Sequence, residues 1–305
     1  LLFVPESNIE KLGLMRLSNG VSLYCKRVLI ADGEKAKGLL PEWMRFVKGV
    51  IDSEDLPLNI SREGMQDSSL IKKLGVIIIK RFLKFLDETA KNDPEKYNKF
   101  YTEFDRMIKE GILLDFDHRE ALAKLLRFGS SATEPGKTTS LADYVLRMGS
   151  EQKEIYYLVA PHRKAAEASP YYEGLKAKNL EVLFCYDPSE NFVLERLMAF
   201  EEKPLKSAEL AEVSVDSTSE KLSEDECKRL TEWFKELLGD KIKEVKISQR
   251  LVDSPAAIVS SDKFMTTAMR NLLKSLKKED LPTATLAYDL ELNPSSPIIC
   301  KLYRA

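Results

Sequence analysis

Two long amphipathic helices, read between Ser68 and Gly111, restrict what this chain can become more than any other stretch. Leu70, Ile71, Leu74, Ile77, Ile78, Phe82, Phe85 and Leu86 recur at steps of three and four, the spacing of a helix with a wide buried face. Asn92-Asp93-Pro94 stops that helix. A second then places Tyr97, Phe100, Tyr101, Phe104 and Ile108 on one side. An aromatic stripe of this kind is core packing rather than a cofactor box.

Around the helices the pattern is mixed. Val21 to Ile30 alternates loosely and suits a strand, and Asp32-Gly33 opens an exposed turn. From Arg119 to Met148 short helical pieces are broken by Gly129-Ser130-Ser131 and Pro135-Gly136. Ile155 to Ala160 and Glu181 to Tyr186 read as strands with helical material between them, which predicts a crossover and a small parallel sheet. Phe192 to Phe200 reads as helical. Glu201 to Lys221 is polar, acidic and serine-bearing, and reads as a linker. Ser223 with Glu226 three residues on forms a capping-box pattern before a helix bearing Leu230, Trp233, Phe234 and Leu237. Ile242 to Ser248 and Ala256 to Ser260 are strand-like, and Phe264 to Leu276 is helical. The expected fold class is therefore α/β, in several units.

At 305 residues the chain is long enough for two or three cores. Lysine and arginine total 47 against 49 acids, a net charge of -2, so no general grip on nucleic acid is expected. No apolar run approaches the roughly 20 residues of a membrane-spanning helix. Cys25, Cys185, Cys227 and Cys300 are far apart and only His118 and His162 accompany them. A zinc site is not expected, and buried reduced thiols are the default. The chain opens at Leu1 rather than Met and reads as a piece of a longer one, which leaves targeting open.

The segment Asp52 to Gln66 carries the most distinctive chemistry. Arg62 and Gln66 stand four residues apart where a Pro57-containing loop turns into the first long helix, so they share one face, with Asn59 nearby. None is a nucleophile or base, but a fork of donors suits an anionic phosphate. The plainer alternative is a helix start that Ser61 caps and where Arg62 makes a surface ion pair. No GxxxxGK[ST] loop, GxGxxG or nucleophile elbow is present. Cys25 beside Lys26 and Arg27 reads as a buried structural thiol, the two histidines as surface residues, and Trp43 with Phe46 as core. A second stripe, Phe264, Met265, Ala268, Met269, Leu272, Leu273 and Leu276, either packs on a sheet or offers an adaptable methionine-bearing surface.

Pro41-Glu42-Trp43-Met44-Arg45-Phe46 through Leu58-Asn59-Ile60-Ser61-Arg62-Glu63 resembles the middle domain of the heat shock protein 90 chaperone family. Phe3-Val4-Pro5, Ala121 to Phe128, Thr139 to Tyr144, Ile155-Tyr156-Tyr157, Ala177 to Phe184 and Leu290 to Ile299 resemble later blocks in the same order. Ser169-Pro170-Tyr171-Tyr172-Glu173 and Glu181-Val182-Leu183-Phe184-Cys185 look most like the mitochondrial branch, of the tumour necrosis factor receptor-associated protein type, with the bacterial one close behind.

The resemblance implies α-β-α sandwiches: a large middle unit over 1–112, a helical connector over 113–150 and a small middle unit over 151–212. A partial α+β C-terminal domain over 222–305 would follow. It implies ATP and Mg²⁺ use by the full-length protein and none by this piece alone. Arg62 matches an arginine that reaches the terminal phosphate held by a separate N-terminal domain, with Gln66 and Asn59 as helpers. Phe264, Met265, Met269, Leu272 and Leu273 match an exposed helix that touches unfolded clients. The expected partners are clients, the protein's own N-terminal ATPase domain and a second copy, with dimerisation weak here because the joining helices would follow Leu302. Neither nucleic acid nor membrane is expected as a partner, and the compartment implied is mitochondrial. Gly64 departs from the family's bulky aliphatic residue; at about 1 kcal/mol relative to Ala in a helix, it predicts a looser Arg62.

Overall fold

The computed structural model describes residues 1–304 other than 14, 19, 33–37, 54–68, 216–220, 263–265 and 276–286, with the side chains of 69–70 and 272–275 also left aside. It is a mixed α/β chain with three sheets, divided into two compact units, Leu1–Arg127 and Phe128–Ala305.

In the first unit β1 (Leu2–Phe3), β2 (Gly20–Cys25), β3 (Val28–Ala31) and β4 (Lys48–Asp52) form a sheet in the order β1-β4-β2-β3. β4 runs parallel to β2, with Leu23 opposite Ile51, and antiparallel to β1. Period-two alternation buries Val21, Leu23 and Cys25. The stretch read as one strand from Val21 to Ile30 is instead a hairpin. Lys26 and Arg27 adopt φ of 47° and 67°, the left-handed pair that a two-residue turn demands. Asn-Gly would have announced it; Lys-Arg does not.

Three helices cover the unit: α1 (Ser69–Asn92), α2 (Pro94–Leu114) and α3 (Arg119–Ala123). Asp93 caps α2 by accepting the Lys96 N–H at 3.1 Å, with Pro94 in the first turn. The buried face of α1 is narrower than its apolar pattern. Ile79, Phe82, Leu83 and Leu86 are buried, whereas Ile77 and Phe85 are more than half exposed.

Phe46 stacks on Phe104 at 5.1 Å between centroids and leans on Phe82 and Phe100. Trp43 is buried and its indole N–H donates to Asp115 at 3.0 Å. Glycine at position 111 lets α2 approach closely: a Cβ would stand 3.0 Å from the indole and 2.9 Å from the end of the Leu122 side chain. Arg45, with a side chain only 8% exposed, is held between Glu10 and Glu110 at 2.8 Å each, which compensates its burial. His118 is not the surface residue expected. Its ring lies 2.9 Å from Asp115 and is 10% exposed, because the turn before α3 folds it onto α2's last residues.

The second unit begins with β5 (Gly129–Ser130), β6 (Ile155–Val159), β7 (Val182–Cys185), β8 (Ala199–Phe200) and β9 (Lys203–Ser207), ordered β5-β7-β6-β9-β8. Helices α4 (Leu141–Arg147), α5 (Arg163–Glu167), α6 (Pro170–Ala177) and α7 (Ser189–Leu197) connect them. β6 pairs in parallel with both β7 and β9. Every residue of β7 is buried, as an apolar interior strand requires. β8 ends the stretch read as helix to Phe200, and β9 occupies part of the stretch read as linker. Lys203, Pro204 and Lys206 hide β9 from any hydrophobicity pattern, yet Leu205 pairs with Ile155.

Beyond it stand α8 (Glu224–Leu238), β10 (Glu244–Ile247), β11 (Ala256–Ser260), α9 (Thr267–Ser275), β12 (Tyr288–Leu292) and α10 (Pro297–Arg304). The three strands are ordered β10-β12-β11, with β12 parallel to β10 and antiparallel to β11. The capping box is realised: Glu226 accepts the Ser223 N–H at 2.8 Å and Ser223 Oγ accepts the Glu226 N–H at 3.4 Å. Leu222, Leu230, Leu292 and Ile299 form the core under α8 and α10.

Candidate functional site

Arg62, Gln66 and Asn59, with Ser61 and Gly64, lie outside the described residues. Their approach is described on both sides. β4 ends at Asp52, which pairs with Tyr24, and the Ser53 N–H donates to the Tyr24 carbonyl at 3.1 Å; α1 begins at Ser69. Beside this approach lies an open groove of about 1240 Å³ lined by Phe3, Val50, Asp52, Ile78, Phe85 and Phe100. Lys96, Lys99 and Glu103 also line it. Such a surface accepts an apolar segment with charge at its margin.

The second candidate is α9. Phe264 and Met265 lie outside the described residues; Leu272 and Leu273 belong to the helix, but their side chains are not described. Met269 is half-buried. The residues that turn inward are Thr266 and Arg270, each 1% exposed. Arg270 stacks its guanidinium over Tyr288 of β12 at 4.3 Å and donates from Nη2 to Ser260 Oγ of β11. An arginine facing the sheet was not expected from the apolar stripe, and no sequence signal marks it. At about 100° per residue, position 272 stands roughly opposite position 270.

The residues that hold α9 and its sheet come from the other sheet of the same unit. Glu209 follows β9 in a short 3-10 turn, and its Oε2 accepts both the N–H and the hydroxyl of Thr267 at 2.7 Å. Burial pushes its carboxyl above the ordinary carboxylate range, although the Thr267 bonds, Arg250 and Arg270 pull it down. Glu173 on α6 takes three consecutive backbone N–H groups, from Val252 at 2.9 Å, Asp253 at 3.0 Å and Ser254 at 3.1 Å, and the Ser254 hydroxyl. Partial burial alone would raise its carboxyl; the Ser254 and backbone hydrogen bonds outweigh it and hold the group below 4.5.

Between these carboxylates, Arg250 pairs with Glu291 at 2.9 Å, donates to the Glu209 carbonyl at 3.1 Å and stacks on Tyr171 at 4.9 Å. Gly174 permits the approach, since a Cβ there would meet the Arg250 carbonyl at 3.0 Å. Glu173, Glu209 and Arg250 were not singled out in the sequence. Their partners lie 41 to 81 positions away, and Glu209 fell in the supposed linker.

The joint is built of backbone hydrogen bonds, an ion pair and a stacked ring. Among the described residues no cluster of His, Cys, Asp or Glu could bind a metal, and no helix is long and apolar enough to cross a membrane.

The whole chain, residues 1–305, matches the family model described as Hsp90 protein. It is 47% identical over 310 residues to Chaperone protein HtpG of Desulfitobacterium hafniense, covering 99% of this chain and 49% of the relative. TNF receptor-associated protein 1 homolog, mitochondrial, of Dictyostelium discoideum is 40% identical, over 99% of this chain and 43% of its own length. Heat shock protein 75 kDa, mitochondrial, of Bos taurus is 39% identical, over 99% and 44%. The chain thus spans about half the length of the curated relatives it matches. Of these three, the bacterial chain is the most similar, whereas the short motifs had pointed first to the mitochondrial branch.

Proposed function

The chain belongs to the Hsp90 family, and from that premise we propose that it is the middle and partial C-terminal portion of an ATP-dependent molecular chaperone. In this reading residues 1–112 form the large middle unit, 113–150 a connector, 151–212 the small middle unit and 222–305 the C-terminal part. ATP is gripped by a portion of the longer relatives' length that this chain does not span. In this reading metal and nucleotide binding belong to that portion. Arg62 supplies a cation to the terminal phosphate when the portions dock, with Gln66 and Asn59 orienting its segment. A fixed cation answers the charge that develops on a transferring phosphoryl group. The apolar groove beside Asp52 supports docking next to that segment.

Client protein is bound on α9 by Phe264, Met265, Met269, Leu272 and Leu273. The observation that carries this is the burial of Arg270 against β11 and β12. It commits one side of α9 to the sheet, and at helical spacing position 272 stands roughly opposite that side. Two copies of the longer protein would present two such helices. The Ser169–Glu173 and Glu181–Cys185 motifs favour a mitochondrial member; the higher identity to a bacterial chain weighs against it.

The test is capture of a reduced, carboxymethylated model protein by the chain. Phe264→Ser with Met269→Ser should weaken capture at least about fivefold, as expected for losing apolar contacts of roughly 1 kcal/mol or more. Undiminished capture by the folded double variant would remove α9 from the reading. The alternative is a passive client or co-chaperone scaffold with no catalytic share, separated by the Arg62 experiment below.

A further inference from the structure

We propose that Glu209 is a positioning residue that sets α9 from the end of the five-stranded sheet. The helix would then take its orientation from the segment carrying that sheet rather than from its own preceding loop. A helix start leaves several N–H groups without intrahelical partners, and a side chain just before the helix usually answers one of them. Here Thr266 Oγ approaches the Met269 N–H only at 3.4 Å. The short bonds come instead from Glu209, 58 positions earlier, at 2.7 Å to both the N–H and the hydroxyl of Thr267.

A second observation points the same way. Arg270, one turn into α9, is buried, and among the described residues its Nε and Nη1 have no hydrogen-bond partner. A buried guanidinium needs compensating charge, and Glu209 is close enough for Arg270 to pull its carboxyl down. One carboxylate therefore caps the helix and offsets the charge that the helix buries. Arg250 holds the backbone of Glu209 in place from the opposite side. Glu173 belongs to the same joint but bonds only the 252–254 loop, so it provides an internal control.

The consequence for client handling rests on the reading of α9 given above; the positioning itself does not. The experiment is amide hydrogen exchange on the full chain, with far-UV circular dichroism confirming the fold of each variant. Glu209→Ala should raise exchange of the Thr267 to Arg270 amides about tenfold, the equivalent of a cap worth roughly 1.4 kcal/mol. Glu209→Gln, which keeps an acceptor oxygen, should recover most of that protection. Glu173→Ala should loosen residues 252–254 and leave α9 unchanged.

Unaltered α9 exchange in Glu209→Ala would overturn the proposal, as would equal fraying in Glu173→Ala, which would mean general loosening. If α9 frays in Glu209→Ala while capture of the carboxymethylated protein is unaffected, the positioning role stands and the client reading of α9 fails.

Discussion

Replacing Glu173 by Gln isolates the value of one carboxylate that gathers three backbone N–H groups and a hydroxyl. Gln keeps one acceptor oxygen but presents an NH₂ where the second carboxylate oxygen had faced backbone N–H donors. Hydrogen bonds to a charged group contribute about 1.5–3 kcal/mol each. They do not add, and the loop at Val252 and Asp253 is open to water that can replace the lost acceptor. The expected net loss is therefore that of one such bond, about 1.5–3 kcal/mol in total.

With a urea slope of about 2 kcal/mol/M, the midpoint should fall by roughly 0.8–1.5 M. Trp233 fluorescence in a Trp43→Phe background reads this from the second unit alone. The pH dependence follows from the depressed native value. The Glu173 contribution is complete above the unfolded carboxylate range, near 4.5, and disappears as pH falls through the lower native value. The gap between wild type and Glu173→Gln should thus be full at pH 7 and shrink below about pH 4. Equal midpoints at pH 7, or a gap that persists undiminished to pH 3, would refute the reasoning.

Two further outcomes are expected. Phe104→Ala removes the ring that packs on Phe46 and Phe100 and should destabilise the first unit by about 3–5 kcal/mol, read by Trp43 fluorescence in a Trp233→Phe background; a loss under about 1 kcal/mol would contradict the packing described. Arg62→Ala, made in the longer protein, should reduce ATP hydrolysis by about 10³-fold or more with nucleotide affinity largely retained, whereas an unchanged rate would establish the scaffold alternative.

The sequence disclosed what periodicity can encode. α1 and α2 were legible because Phe82, Leu86, Tyr97 and Phe104 repeat at helical spacing, and the start of α8 because Ser223 and Glu226 carry their own cap. β11 was legible at both ends, Ala256 and Ser260. What stayed hidden has physical reasons. The Lys26-Arg27 corner lacks the glycine that normally betrays a left-handed turn. β9 is a polar strand held between the short β8 just before it and a neighbour far back in the chain, Ile155. β12 was met only as part of a family motif, since Asp289 and Glu291 interrupt the apolar run from Tyr288 to Leu292. Arg270 runs against every burial preference and is admitted by an aromatic face and the Ser260 hydroxyl, with a carboxylate 61 positions earlier to offset its charge. The Glu173 and Glu209 contacts exist solely in three dimensions, because backbone donors carry no residue-type signature.

The indole of Trp43 seated on Gly111 has a bearing on β4 that neither residue's own chemistry suggests. Trp43 and Arg45 bolt the run leading into β4 onto α2, so the strand departs toward residue 54 from a fixed origin and heading. Whatever the intervening residues do, their base cannot wander. Enlarging position 111 by a single methyl would press on the indole and on Leu122, so a change in the middle of a helix would be felt at the start of a strand some sixty positions earlier in the chain.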